Sequence, residues 1–468
     1  MNDDAVVRAR IAVVGAGWAG LAAALSLAQT GLPVTVFEAA PMAGGRARTV
    51  ELDTPLGRIA IDNGQHLVVG AYRETLALAE RLGSGALLGR APLSLTSPSG
   101  LRLRAARLPA PLHLGWALAT ARGLGPGGGR AMLRLMTGLR AAHWRSLPGE
   151  TVERLLARFA QPAALVARLW SPLCIGALNT LPAEACATAF AAVLRDTLGA
   201  DRGASDFVTT DAPLGSLLPE PALARLRALG ADIRLRSAVR RIERRSDGWR
   251  LECHAPDAAA NDVTRADARA AAAHGFDRVL LALPPWSAAR LLEASGLAAG
   301  PISAFEPEPI ATAWALWPAG SAPALPPWSL LDEAPARGRH GQWLFDRGVV
   351  AASGAATRRA RVAGIVISVA SRLDALSNDA IADGIASQLV EAFGGPPPAA
   401  LRLVTERRAT FRCTPGRPRL RPDFLATAAP GLWLAGDWLW PDYPATLEAA
   451  VRSGHDAARR MLAQPPAR

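Results

Sequence analysis

The spacing of apolar positions changes several times along this chain, and each change marks an element. Arg10-Ile-Ala-Val-Val14 is a short β-branched run of strand character. Gly15, Gly17 and Gly20 follow at once, and the alanine-rich Leu21–Thr30 reads as a helix. Gly31-Leu32-Pro33 stops that helix, and Val34-Thr-Val-Phe37 reads as a second strand ending at Glu38. Ala238–Ile242 leads into a strand pair around Gly248–Cys253. Phe276–Leu283 has the uninterrupted apolar character of a buried strand and ends at Pro284-Pro285. Gly431-Leu-Trp-Leu-Ala435 is another apolar strand, followed after Pro444 by a helical pattern.

Two uncharged runs test for membrane spans. Ile11–Phe37 is divided by its glycines and Pro33 into strand, turn, helix, turn and strand, and Ile310–Leu331 is broken by prolines. Neither predicts a spanning helix, and the leader before Ile11, which holds Asp3 and Asp4, lacks the form of a cleaved signal. With 468 residues, half of them hydrophobic, the chain can bury two or three structural units. The tails Met1–Arg10 and Gln464–Arg468 look loose. All 52 basic residues are arginine, and the net charge is +12. That fits a dispersed basic surface or one facing an anionic membrane; no compact nucleic-acid motif accompanies it. The four cysteines form no CxxC pair and stand beside no histidine cluster, so reduced thiols in a cytoplasmic protein are expected, with no metal site.

Strand, Gly15-x-Gly17-x-x-Gly20, helix, second strand and Glu38 together make a βαβ unit with a dinucleotide-binding fingerprint. Gly15 permits the turn, Gly17 lets backbone approach a pyrophosphate, and Gly20 lets helix and strand pack closely. Phosphates would sit at the positive helix N-terminus, and Glu38 would accept hydrogen bonds from the ribose hydroxyls. Gly44-Gly45-Arg46-Ala-Arg48 follows within a few residues, with Arg46 or Arg48 able to reach phosphate. This segment resembles the glycine-glycine-arginine stretch of amine-oxidase-like FAD proteins, which points to non-covalent FAD rather than NAD. That resemblance implies further cofactor contacts: Gly436 and Asp437 near the pyrophosphate and ribityl chain, Thr446 and Leu447 at a helix start facing the flavin pyrimidine ring, and the Val239 backbone against adenine.

Asp62-Asn63-Gly64-Gln65-His66, Trp170-Ser-Pro-Leu-Cys174, Ala177-Leu-Asn179-Thr180 and Tyr443-Pro-Ala-Thr-Leu-Glu448 carry a more specific resemblance. Along nearly its whole length the chain resembles the hydroxysqualene dehydroxylases, squalene-associated FAD-dependent desaturase-like enzymes of bacterial hopanoid synthesis. Ala449 in place of a frequent glycine, and the Pro441-Asp442 turn, depart from that pattern. The resemblance implies an α/β fold of amine-oxidase type, with a Rossmann-type FAD-binding domain from residues 8–90, 215–290 and 425–464. An interleaved α+β substrate-binding domain would come from 91–214 and 291–424, with a helical membrane-proximal part at 108–160. It implies hydride transfer from reduced flavin to an allylic carbon of a polyprenoid, with an electron donor that the sequence does not reveal. Gly64, Gln65 and His66 would pass close to the flavin ring. Two roles fit His66, catalytic acid or orienting group for the hydroxyl, and hydrogen bonding to flavin or backbone. Asp62 suits backbone support better than catalysis. Cys174 and Asn179 would line the substrate pocket, and core packing accounts for Cys174 equally well. The apolar Pro109–Leu124 and the arginine-bearing Arg130–Arg145 fit either an interfacial pair at the inner face of an anionic membrane or a helical hairpin packed on the substrate domain. A flavin amine oxidase would be expected to carry a lysine near the flavin and an aromatic residue where Thr446 stands. A carotenoid-type desaturase and a non-catalytic FAD-binding protein are the other rivals.

Overall fold

The computed structural model describes residues 9–210, 212–254, 275–353 and 358–464. Most of both tails expected to be loose therefore lies outside the described residues. The N-terminal pattern forms β1 (Ile11–Val14), α1 (Trp18–Ala28) and β2 (Val34–Phe37). Three later strands join them: β3 (Asp232–Arg234), β4 (Arg278–Leu281) and β10 (Leu432–Leu434). The resulting parallel sheet has the order β3-β2-β1-β4-β10. Its strands come from three stretches far apart in sequence, and all fall inside 8–90, 215–290 and 425–464. β3 is a strand that hydrophobic spacing did not single out, because Asp232 and Arg234 break the apolar run.

Helix α1 begins at Trp18, three residues before the alanine-rich run, because Gly17 already serves as its N-cap. It lies between the sheet and the C-terminal helix α8 (Leu447–Ala463), and ten of its residues are buried. Contact between the two helices is close: a Cβ on Gly454 would fall 2.3 Å from the Ala19 carbonyl oxygen. Helix α8 does not start at Pro444. Thr446 caps it, its hydroxyl accepting from the Ala449 amide at 3.0 Å, so the capping bond sets the boundary.

The second layer is an antiparallel sheet of β5 (Pro307–Pro318), β6 (Trp328–Leu330), β7 (Trp343–Ala352), β8 (Arg358–Ser368) and β9 (Ala400–Phe411), in the order β6-β7-β8-β5-β9. The proline-broken run from Ile310 supplies two of these strands. Ile365 and Ile367 on β8 pack with Ile381, Ile385 and Leu389 of α7 (Asn378–Phe393). Trp343, Phe345 and Val366, alternate positions on β7 and β8, face the opposite way into the interior. Helices α3 (Leu112–Ala119), α4 (Gly128–Ala141), α5 (Ser171–Leu178) and α6 (Ala187–Thr197) close the remaining side of that interior, while α2 (Arg73–Arg81) packs on the core around α1. No helix among the described residues is long and apolar enough to cross a membrane.

Candidate active site

The site begins at the turn between β1 and α1, where the three fingerprint glycines have different reasons to be glycine. Gly15 has φ +105°, and a Cβ there would lie 2.4 Å from the Ala282 carbonyl oxygen. A Cβ on Gly20 would lie 1.9 Å from the Gly15 oxygen. Both are demands of the fold. Gly20 is not among the residues lining the cavity, so its role is the helix–strand approach rather than ligand contact. Gly17 differs: its φ is −73°, and a Cβ would meet nothing nearer than the Gly45 Cα at 4.0 Å. Space beside Gly17 is left open, at the N-terminus of an eleven-residue helix with no side-chain cap. Gly44, with φ +112°, and Gly45, with φ +60°, bring a second loop across it. This cradle fits the pyrophosphate of a dinucleotide: bare backbone on two sides and a helix N-terminus for the charge.

Glu38 stands beside the cradle, its carboxylate accepting from the Ala16 amide at 2.7 Å and the Ala40 amide at 2.8 Å. Those bonds fix its orientation at the cavity wall and leave acceptor capacity for ribose hydroxyls. Arg236 and Ser237 donate backbone bonds to Ala40 and Glu38, so the segment leading to Val239 runs past this end. Val239 itself is not among the lining residues. Arg46 lines the cavity and is held by bonds within the protein. Its guanidinium donates to both Asp437 oxygens at 2.9 Å and to the Ala409 carbonyl at 2.8 Å, and lies 5.8 Å from the Trp286 ring centre. Arg48 donates to the Gly45 carbonyl. Gly436, Asp437, Thr446 and Leu447 all line the same cavity, so the two ends of the chain meet where the sequence placed their separate contacts.

Gly64, Gln65 and His66 cross the middle of the cavity. The Gln65 Oε1 atom is buried without a partner, as is the indole N–H of Trp314. Trp314 lies in a core away from the cavity lining, but Gln65 lines it, and an unpaired buried acceptor is costly unless a ligand completes it. A flavin ring edge, which carries both donors and acceptors, fits that requirement. Burial, then the nearby Arg46 charge, pushes His66 down to about 4. At neutral pH it is an uncharged imidazole, which suits orientation of a ligand through N–H or nitrogen lone pair better than proton donation as an imidazolium.

Beyond His66 the cavity, about 490 Å³ in all, becomes an apolar chamber walled by Leu93, Leu103, Met132, Trp170, Phe190, Phe207, Trp343 and Phe345. One expectation needs correction here. Cys174 is fully buried among Leu169, Trp170 and Leu178 and is not among the lining residues; burial drives its thiol well above the ordinary range. The helical turn of α5 presents Leu173, Gly176 and Ala177 to the chamber and rotates Cys174 into the core. Asp62 also stays off the cavity, accepting from the Leu214 amide at 2.9 Å, with its carboxyl raised by burial. It supports backbone. Asn179 does line the chamber, yet its amide donates to Glu308, Pro309 and Thr410 and accepts from the Val369 amide, so it ties α5 to the antiparallel sheet. The aromatic wall on β7 was not foreseen, and the alternation of Trp343 and Phe345 was its only signal. Among the described residues no group of histidine, cysteine, aspartate or glutamate could hold a metal ion.

The flavin containing amine oxidoreductase family matches residues 18–462. A hydroxysqualene dehydroxylase of Rhodopseudomonas palustris is 31% identical over 96% of this chain and 98% of its own length. One from Sinorhizobium fredii is 30% identical over 97% and 98%. Among solved structures, a triple variant of putrescine oxidase superposes with a TM-score of 0.66 at 17% identity, covering 98% of this chain and 99% of its own. Cyclohexylamine oxidase from Brevibacterium oxydans gives 0.63 at 18%, covering 97% and 98%. At such identities these two establish the fold, the two-domain amine-oxidase type.

Two outcomes follow from this geometry. Gly17→Val should fold, because the nearest atom to its Cβ, the Gly45 Cα, is at an ordinary contact distance of 4.0 Å, yet purify without FAD; a variant retaining flavin absorbance would show that the cradle lies elsewhere. His66 is the easier to protonate when unfolded, so the unfolded state binds more protons between pH 4 and 6.5. Its contribution should be complete above pH 6.5 and be lost as pH falls toward 4, by up to about 3 kcal/mol. Unfolding free energies of His66→Gln should therefore fall less steeply over that window, and parallel curves would contradict a buried neutral His66.

Proposed function

The chain belongs to the flavin containing amine oxidoreductase family and is an FAD-dependent oxidoreductase; on that premise we propose that it reduces hydroxysqualene to squalene in hopanoid synthesis. One observation carries the reading: the dinucleotide cradle, His66 and an apolar chamber line one cavity. Full-length relatives named hydroxysqualene dehydroxylase support the same substrate.

Bound and reduced, FAD supplies a hydride to the substrate's allylic carbon. The residues of this chain do the rest. Gly15, Gly17, Gly44 and Gly45 admit the pyrophosphate, and Glu38 holds the ribose. Gln65, whose buried oxygen lacks a partner, and Asp437, fixed by Arg46, would help to hold the bound cofactor. The Trp170, Phe190, Trp343 and Phe345 faces enclose the polyprene and keep water from a carbon with cationic character. Neutral His66 orients the hydroxyl. The residues of 8–90, 215–290 and 425–464 form the FAD-binding domain in this reading, and 91–214 with 291–424 the substrate-binding one.

A C30 substrate reaches the enzyme from lipid, and we assign its approach to α3 and α4, in a cytoplasmic protein held at the inner face of the membrane. Leu112 is 61% exposed, Trp116 54% and Leu133 55%. Next to Leu133, Met132 lines the chamber, so α4 is outer surface and chamber wall at once. From Arg81 to Gly149 the chain carries ten arginines and no aspartate or glutamate. Exposed apolar side chains in a stretch rich in arginine and free of acidic residues suit anionic headgroups.

Anaerobic photoreduction of the flavoprotein followed by hydroxysqualene should reoxidise the flavin with one squalene formed per flavin, followed by absorbance and mass spectrometry. A reduced flavin that persists with no squalene would overturn the reaction, and polyene substrates offered to the oxidised enzyme would then test a desaturase. In flotation assays the protein should bind vesicles containing phosphatidylglycerol and leave pure phosphatidylcholine at 0.5 M salt. Trp116→Ser with Leu133→Ser should weaken that binding at least tenfold, and unchanged flotation would remove the docking surface.

A further inference from the structure

The chain has only two tyrosines, Tyr72 and Tyr443, and both line the cavity. They reach it from different elements. Tyr72 precedes α2, and Tyr443 precedes the cap of α8, where it packs with Ala192 of α6 and with Ala449. One polar cluster fixes both. Glu448, fully buried, accepts from the Glu74 amide at 3.1 Å and the Thr75 amide at 2.9 Å at the start of α2. It also accepts from Arg452 at 2.8 Å, whose guanidinium lies 5.4 Å from the Tyr443 ring centre. Through that carboxylate α2 and α8 hold their tyrosines against the same wall.

We propose that Tyr72 and Tyr443 receive the hydroxyl of the substrate, with Tyr72 donating to the oxygen that departs. This rests on the dehydroxylase reading. Most other polar side chains at the wall already serve the protein: Asn63 accepts from the Arg48 amide, Asn179 is bonded throughout, Asp437 holds Arg46, and the Thr197 and Ser205 hydroxyls donate to backbone. Thr446 stands beside the Tyr72 phenol, and its own oxygen already accepts the Ala449 amide. The Thr446 proton can therefore point to the Tyr72 oxygen and leave the phenolic proton free for a ligand. Burial, with the Glu448 charge next, keeps Tyr72 protonated far above its ordinary range. A phenol, with an ordinary pKa of about 10, is a stronger acid than water, whose pKa is about 15.7. As the carbon–oxygen bond breaks and hydride adds to carbon, the phenolic proton passes downhill to the departing hydroxide, which leaves as water. The phenolate then takes a proton from solvent before the next turnover.

The test separates alcohol from hydrocarbon. Tyr72→Phe keeps the ring and removes the donor. With the oxidised holoenzyme, which cannot turn over, equilibrium dialysis should show hydroxysqualene binding weakened about five- to tenfold, with squalene binding unchanged. Single-turnover reoxidation of the reduced enzyme should slow at least tenfold, and Tyr443→Phe should show the same pattern to a smaller degree. Equal weakening of both ligands would overturn the proposal in favour of a packing role, as would wild-type rates in both variants. If the wild-type enzyme itself forms no squalene, the function fails first. If it forms squalene and both variants do so at full rate, only this assignment falls.

Discussion

Bare backbone contact is the constraint on which the molecule depends. α1 lies against the Rossmann sheet through Gly15 and Gly20, and against α8 through Gly454, and at each point a Cβ would fall within 2.4 Å of a carbonyl oxygen. These contacts bring the first and last elements of the chain together. The cofactor site uses both ends: Gly15, Gly17 and Glu38 from one, Asp437 and Thr446 from the other. Loosening any of the three contacts would separate halves of a site that no single segment contains.

A second constraint is electrostatic. The interior is apolar, and the charges that frame the cofactor end of the cavity are matched. Arg46 and Asp437 neutralise one another across the two halves. Glu448 is answered by two helix N-terminal amides and Arg452, and Arg452 in turn by Asp196 of α6. His66 stays neutral because burial and the positive Arg46 both oppose its proton. A chamber with so few free polar groups is suited to a hydrocarbon, and it makes each remaining donor, Tyr72 and His66 above all, chemically consequential.

The outer surface follows a different rule. Exposed leucines and a tryptophan on α3 and α4 stand among arginines without acidic neighbours in sequence, while the inner face of α4 helps to wall the chamber. One helix thus presents its apolar residues in two directions, and the short reach from Leu133 to Met132 connects surface to interior.

Local sequence determined the Rossmann unit almost completely, because its signals are covalently adjacent: a β-branched strand, three glycines at fixed spacing, an alanine helix and an acid. Asp437 and Thr446 were placed through the family resemblance of their segments, and the capping role of Thr446 emerged only in the fold. What adjacency cannot encode is rotation and partnership. Cys174 and Gly176 lie two residues apart on α5, yet only the packing of that helix turns one into core and the other toward the chamber. Arg46 was assigned to phosphate by its neighbours, and the fold sets Asp437, hundreds of residues away, within 2.9 Å of it. Tyr72 and Tyr443 carried no periodic signal at all. Their convergence depends on Glu448, whose bonds to α2 exist only once the chain has closed, and long-range contact of that kind is decided by tertiary structure alone.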